Sequence, residues 1–374
     1  MTALTSADAD RLRGYEAPSR VVAVIDPDPR LRDAVAKLLW PMYRSLDCPD
    51  VETAVGRGSR PPAAVLLGEG APGAGGKGAV AYLRTHPQFR SVPVIVLAGP
   101  SPRPRAATDD APDLVLPPPH TARAVLDAVS RLANRAVEAG WDALPEAPRQ
   151  ALRRSLAVFS TLPRLMGDGT PLNFEDVSAA CAPVIDAVKQ SGQRYIFEGL
   201  QNHNALYFVH SLRVSTLLAL FGHTIGLDDE ALMTLASAGL VHDIGKTVLP
   251  DRVMNKVGSL DSSEEKIAHS HVEVTVRYLE RHSDVPKAVI TIAGEHHERI
   301  DGTGYPRKLK GGEINDLSRM AAIVDVFCAL TERRPHRAAM GAFQALEVMQ
   351  ENVRETLDQG LVRMFSGMLV KAAA

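Results

Sequence analysis

Five histidines and two aspartates fall where the chain is otherwise apolar: His210, His242, Asp243, His271, His296, His297 and Asp325. The stretch "VHDIGK" (241–246) sets His242 beside Asp243 and adds Lys246, all at the end of an apolar run. Neighbouring helical residues point about 100° apart, so two adjacent side chains can approach one centre from different directions. Lys246, three residues after Asp243, lies on the same side. A buried carboxylate costs several kcal/mol unless a cation or donors compensate it. Taken alone, the hexapeptide fits two readings equally. One is a metal site; the other is an aspartate that N-caps the next turn beside a hydrogen-bonded core histidine.

The remaining residues tip the balance. His210 begins the amphipathic helix expected in "HSLRVSTLLALFGH", and His271 shares a helical face with Val274, Tyr278 and Leu279. His296 and His297 follow the apolar helix "VPKAVITIAG". Asp325 is the charged residue of "MAAIVDVFCAL", and the residues one turn away, Ala321, Ala322, Cys328 and Ala329, are all small. Hydrogen bonds alone rarely satisfy so many polar groups on apolar faces, so the set reads as metal ligands. Nitrogen and oxygen donors in this number, without thiolate, exceed the needs of one tetrahedral ion. They suit two six-coordinate divalent ions, iron or manganese ahead of structural zinc. His269 pairs with Glu273 and is expected in solvent; His86, His120, His203, His223, His282 and His336 lack this apolar setting.

The elements that position these groups lie in two halves with different patterning. In 374 residues, 45% hydrophobic and 23% charged, there is room for two ordinary domains. A net charge of −2 gives no electrostatic case for nucleic acid or a membrane surface as partner. Cys48, Cys181 and Cys328 form no C-x-x-C pair and their odd number argues against a disulfide framework, which suits a reducing cytoplasm. Residues 1–19 lack the apolar core of a secretion signal and read as a disordered leader; no window approaches a membrane span.

Residues 20–137 alternate strands and helices. "RVVAVI", "AAVLL" and "VPVIVLAG" are short apolar runs bounded by Pro and Gly, as buried parallel strands are. Helical segments at 30–40, 77–85 and 121–137 complete a doubly wound rhythm. Residues 138–170 read as a helical linker and 171–374 as all-α. Within the latter, Asn173 and Asp228 are expected N-caps.

The fold class expected is therefore two-domain. An N-terminal α/β doubly wound domain resembles a response-regulator receiver, and a C-terminal all-α HD-type helical domain resembles the HD-GYP family of cyclic di-GMP phosphodiesterases. The receiver resemblance is degenerate: Asp26, Pro27 and Asp28 stand at the acidic pair, Gly68 at the phosphoacceptor, Ala98 at the usual Ser/Thr and Pro117 at the lysine. No phosphoacceptor remains, which leaves two readings open: a module for docking to signalling proteins or homodimerisation, or a plain α/β scaffold with no signal input.

The HD-GYP resemblance covers roughly 170–370, through "HSLRV" at 210–214, "HDIGK" at 242–246, "HHERIDGTGYP" at 296–306 and "VDVFCALTERRPHR" at 324–337. It implies that His210, His242 and Asp325 bind one metal and His271, His296 and His297 the other, with Asp243 bridging. Leu206 stands where some members place a third-metal glutamate. It further implies catalytic roles for Asp243 and Lys246, with Lys246, Arg334 and Arg337 on substrate phosphate. Gly302, Gly304, Tyr305 and Pro306 would shape the pocket mouth. The expected activity is hydrolysis of cyclic di-GMP to pGpG or GMP, activated by two divalent ions. Cys328 replaces a second aspartate of the family pattern, which introduces the alternative of a weak or inactive sensor that binds nucleotide or protein without turnover.

Overall fold

The computed structural model describes residues 21–40, 43–57, 61–75, 78–99, 111–201, 203, 205–254, 256, 258–281, 284–332, 339–351 and 355–372. The expected leader, Arg334 and Arg337 lie outside them. The chain divides into two units. One runs through Pro18–Gly140 and includes the short segment Asn202–Ala205; the other runs through Trp141–Gln201 and Leu206–Ala374.

In the first unit the order is β1 (Val21–Ile25), α1 (Pro29–Leu39), β2 (Arg44–Cys48), α2 (Val51–Arg57), β3 (Ala64–Gly68), α3 (Ala79–Thr85), β4 (Val94–Leu97), β5 (Leu114–Leu116) and α4 (Ala122–Gly140). The five strands form one parallel sheet in the order β2-β1-β3-β4-β5, which is a doubly wound order. The central strands are apolar at every position because both faces are covered. Ala23, Ile25, Val65, Leu67, Val94 and Val96 pack against Val51, Ala54 and Leu83. Val22, Val24, Ala64, Leu66, Ile95 and Leu97 pack on the other side against Val35, Leu39, Val125 and Val129. Strand β2, "RSLDC", has no apolar run to announce it, since it is an edge strand with exposed positions.

At the C-terminal end of β3, Gly68 leaves space that a neighbour fills. A Cβ at this position would lie 1.6 Å from Asp26 Oδ2. Asp26 is buried, and its Oδ1 accepts from the Asp28 backbone N–H at 2.7 Å. Asp28 caps α1, accepting from Arg30 N–H at 2.9 Å.

The helical linker expected over 138–170 is split between the units. Helix α4 continues to Gly140, whereas α5 (Glu146–Asp168) belongs to the second unit, where it buries Ala151, Leu152, Val158, Phe159 and Leu162. The apolar spacing of α5 is that of a packed helix, not of a spacer.

The second unit continues with α6 (Phe174–Lys189), α7 (Gln193–Leu200), α8 (Leu206–Thr224), α9 (Asp229–Val241), a 3₁₀ turn (Ile244–Val248), α10 (Asp251–Met254), α11 (Ser262–His269), α12 (His271–Glu280), α13 (Lys287–Glu295), a second 3₁₀ turn (Gly311–Glu313), α14 (Asp316–Thr331), α15 (Ala342–Glu351) and α16 (Gln359–Ala372). No strand occurs among its described residues. Asn173, Asp228 and Asn315 cap α6, α9 and α14 with their side-chain oxygens.

Helix α8 differs from the amphipathic helix expected. It is buried without interruption from Phe208 to Gly222, and α6, α9 and α14 pack around it. Besides His210 and Arg213, two of its buried hydroxyls bond to backbone: Ser215 Oγ to Ala236 O (2.8 Å) and Thr216 Oγ1 to Leu212 O (2.7 Å). Satisfied in this way, they cost little on a helix buried all round.

Candidate metal centre

The seven ionisable residues reach one place from several helices. His210 projects from the early part of α8, and Asp325 from the middle of α14. Helix α9 stops at Val241, and the chain tightens into the 3₁₀ turn that begins at Ile244, leaving His242 and Asp243 at the junction. Asp243 precedes that turn but makes no side-chain capping bond to it, which removes the bland reading of the motif. Gly245 sets the turn against the start of α12: a Cβ there would lie 2.3 Å from His271 O, and its N–H donates to Thr275 Oγ1 at 3.0 Å. His271 opens α12, while His296 and His297 follow the last turn of α13.

Asp243 divides its two oxygens between two groups. Oδ2 lies 3.4 Å from His210 Nε2 and 3.3 Å from His242 Nε2. Oδ1 lies 3.1 Å from His271 Nε2 and 3.6 Å from His296 Nε2. Asp325 closes the far side, with Oδ1 3.1 Å from His210 Nε2 and 3.9 Å from His242 Nε2, and Oδ2 3.7 Å from His297 Nδ1. Two groups that could each hold a metal ion result: His210, His242 and Asp243; and Asp243, His271, His296 and His297. Two ligand atoms each about 2.1 Å from one ion lie roughly 3.0–3.4 Å apart, so the four shorter spacings fit shared coordination and the others lie a few tenths of an ångström beyond it.

A test of fit comes from hydrogen bonding. The Nε2 atoms of His210, His242, His271 and His296, and Oδ1 of Asp243, are buried without a hydrogen-bond partner. Four lone pairs and a carboxylate oxygen converging in a desolvated space are costly unless something electropositive meets them. The opposite ring nitrogens are engaged. Nδ1–H of His242, His271 and His296 donates to Gly239 O (2.9 Å), Ala268 O (2.6 Å) and Ala293 O (2.8 Å), which leaves Nε2 as the acceptor in each ring. The donor set therefore fits divalent cations.

Electrostatics agree for the two carboxylates and for His271, His296 and His297. Burial works against ionised Asp243, but His242, Lys246 and His271 outweigh it and hold its carboxyl well below the usual range. Asp325 is likewise depressed against burial, chiefly by His210 and His297. Burial pushes His296 down to about 4 and His297 well below the ordinary imidazole value, so both stay neutral and able to ligate. His271 is lowered by burial and by Lys246. His210 goes the other way: burial opposes its charge, yet Glu332, Asp243 and Asp325 hold it well above the usual value.

A cavity of about 470 Å³ opens on this cluster. Its wall includes His210, Asp243, His271, His297 and Asp325, with the cationic side chains of Lys246, Lys256 and Arg299. Lys246 is largely buried and ion-paired with Asp243 Oδ2. Of the four loop residues expected at the mouth, Tyr305 lines the cavity. Gly302, Gly304 and Pro306 shape the loop behind it. At Gly304 a Cβ would lie 2.4 Å from Arg299 N and 2.6 Å from His297 O, so only glycine lets the loop close against the histidine pair. Tyr305 sits between His297 and His269, with ring centroids 4.7 Å and 3.8 Å away. His269 is exposed, as expected, but it also lines the cavity.

Sequence reasoning missed Arg299, Lys256, His269, Arg213 and Glu332. Arg213 carried a signal: an arginine within an apolar helix must find an anion if that helix is buried.

Residues 196–361 match the family model described as HD domain. A 3'3'-cGAMP-specific phosphodiesterase of Vibrio cholerae serotype O1 is 38% identical over 149 residues, covering 40% of this chain and 32% of that protein. A cyclic di-GMP phosphodiesterase of Pseudomonas aeruginosa is 36% identical over 152 residues, covering 41% of this chain and 37% of that protein. Among solved structures, Bd1817, a HDG"Y"P protein from Bdellovibrio bacteriovorus, aligns with a TM-score of 0.49 at 15% identity, over 65% of this chain and 80% of that one. The chain spans about a third of the length of these curated relatives. The helical unit carries an HD domain, and the clustered histidines and aspartates all lie within the matched residues.

Proposed function

We propose that this chain is a metal-dependent phosphodiesterase that opens a cyclic dinucleotide, cyclic di-GMP first and 3'3'-cGAMP as the close comparator, to a linear product such as pGpG. The observation that carries this reading is Asp243, whose two oxygens each face a different pair of buried histidine nitrogens that have no hydrogen-bond partner. His210, His242, Asp243 and Asp325 would hold one ion, and Asp243, His271, His296 and His297 the other. Nitrogen and oxygen donors without thiolate favour iron or manganese. Bound there, divalent ions supply Lewis acidity: they make water nucleophilic near neutral pH and offset charge on phosphoryl oxygens.

The chain's own groups do the rest. Lys246, paired to Asp243 at the cavity floor, is placed to meet a non-bridging phosphate oxygen. Arg299 and Lys256 in the wall add positive charge for a substrate with two phosphates. Buried, neutral His296 and His297 keep their lone pairs for coordination. Tyr305, held between two imidazoles, offers a rigid edge to the nucleoside. Arg334 and Arg337 remain proposed phosphate contacts.

The first unit is proposed as a receiver-like docking module that takes no phosphoryl group, a reading supported by its strand order and by Gly68 at the end of β3. A second reading, nucleotide binding without turnover, is favoured by buried Cys328 at a position where a carboxylate would support the site. Anaerobically purified, metal-loaded protein incubated with each cyclic dinucleotide separates the two. Linear product that disappears in the double variant His242→Ala, Asp243→Ala supports the enzyme; tight binding without product overturns it in favour of the sensor.

A further inference from the structure

The histidines of the cluster differ in what holds the ring. His242, His271 and His296 each bond through Nδ1 to a carbonyl three residues back in the chain. Such bonds come from nearby backbone. His210 is held from elsewhere: its Nδ1 lies 2.8 Å from Glu332 Oε2, which is 122 residues away in sequence. The other oxygen of Glu332 accepts from Arg213 Nη1 at 2.6 Å, and Arg213 Nη2 donates to Thr331 Oγ1 at 3.0 Å. Arg213 stands one turn after His210 on α8, and its side chain is 3% exposed. A guanidinium clamps the carboxylate, and the carboxylate clamps the ring.

A buried ion pair is weak as a source of stability, because desolvation consumes most of its Coulombic gain. It is a strong way to fix geometry. A carboxylate accepting from Nδ1–H aims the ring and strengthens Nε2 as a donor; Nε2 of His210 faces Asp243 and Asp325. Cys328 lies four residues before Glu332, fully buried and within electrostatic reach of Arg213. Glu332 caps the C-terminal end of α14 with extended backbone. Arg213 bonds to it and to Thr331 and lies within electrostatic reach of Cys328, so a carboxylate at 328 or at 332 could address the same guanidinium.

We infer that Glu332 is the positioning residue for His210, clamped by Arg213, and that it takes over the supporting negative charge that Cys328 does not provide. The inference rests on the metal-centre reading above and deepens it. It removes the reason for expecting a weakened site, because the charge is moved by one turn and not lost.

The test is manganese(II) affinity and stoichiometry of the full chain, from titration with free manganese(II) read by electron paramagnetic resonance, without nucleotide. Glu332→Ala should lose about 10- to 100-fold in affinity for the ion that His210 helps to hold, dropping from two ions per chain to one at low free metal. Glu332→Gln, which preserves the side-chain volume, should fall in the same direction by a smaller factor. Adding Cys328→Asp to Glu332→Ala should recover part of the loss, which a merely structural role would not produce. Unchanged manganese affinity in both Glu332 variants, even with a lower unfolding midpoint, overturns the assignment. A double variant no better than Glu332→Ala overturns the takeover by position 332. A parent that retains no ion overturns the metal centre itself, and a parent that loads two ions yet cleaves no cyclic dinucleotide overturns only the proposed activity.

Discussion

Gly304 and Cys181 act through packing and burial and do no chemistry. Gly304 has the backbone of 297–299 pressed against the space where a side chain would sit. Gly304→Ala is expected to cost about 1–3 kcal/mol, the usual range for overpacking, seen as a lower denaturant midpoint, and to move Tyr305 off its imidazole neighbours. Cys181 lies in the core, where burial pushes its thiol up to about 12 from 9.0, with the nearby hydroxyls of Ser237 and Ser215 pulling the other way. The folded chain keeps this proton where the unfolded chain releases it. Its contribution to stability is therefore complete below pH 9.0 and fades as the pH climbs towards about 12. Cys181→Ala should flatten the fall of the denaturant midpoint with pH across that window. An unchanged slope would show that this thiol does not set alkaline stability.

At the scale of elements, the junctions carry the function: α9 into its 3₁₀ turn, α11 into α12, and α13 into the loop that ends at Tyr305. The last residue of α11, His269, stacks on Tyr305 with rings 15° from parallel. A stacked pair contributes about 0.5–1.5 kcal/mol, so His269→Ala should raise KM about two- to tenfold with kcat and metal content unchanged. A fall in bound metal would mean that His269 reaches further into the site than its stacking implies. Much of this arrangement was legible beforehand. Ionisable groups inside apolar helices announced the cluster, and continuous apolar runs announced β1, β3 and β4. Edge strand β2 was illegible because Arg44, Ser45 and Asp47 give it no apolar pattern. The Arg213–Glu332 pair was illegible for a different reason. The arginine could be seen to need an anion, but Glu332 lies in the charged run "ERR", which reads as solvated surface. Only tertiary packing selects it from all the acids of the chain.

At the scale of the whole molecule, the candidate metal ligands belong to the segments around α8, α9, α12 and α13, with Asp325 of α14 beside them, so ions at their meeting point would tie most of the helical unit together. Each ion held at 100 times its Kd adds about 2.7 kcal/mol to stability. Chelation should thus lower the thermal midpoint of this unit by roughly 10–20 °C, measured by calorimetry before and after metal is restored. An identical midpoint in both states would argue that no ion is bound in the native fold. Among the described residues no helix is long and apolar enough to cross a membrane.

The oxygen of Asp26 that fills the space beside Gly68 leaves no room for a side chain there. An acidic side chain introduced at 68 would meet a carboxylate already in its place, adding both a collision and a like charge. Any side chain at 68 would therefore need coordinated change at two positions, a step that single mutations take poorly.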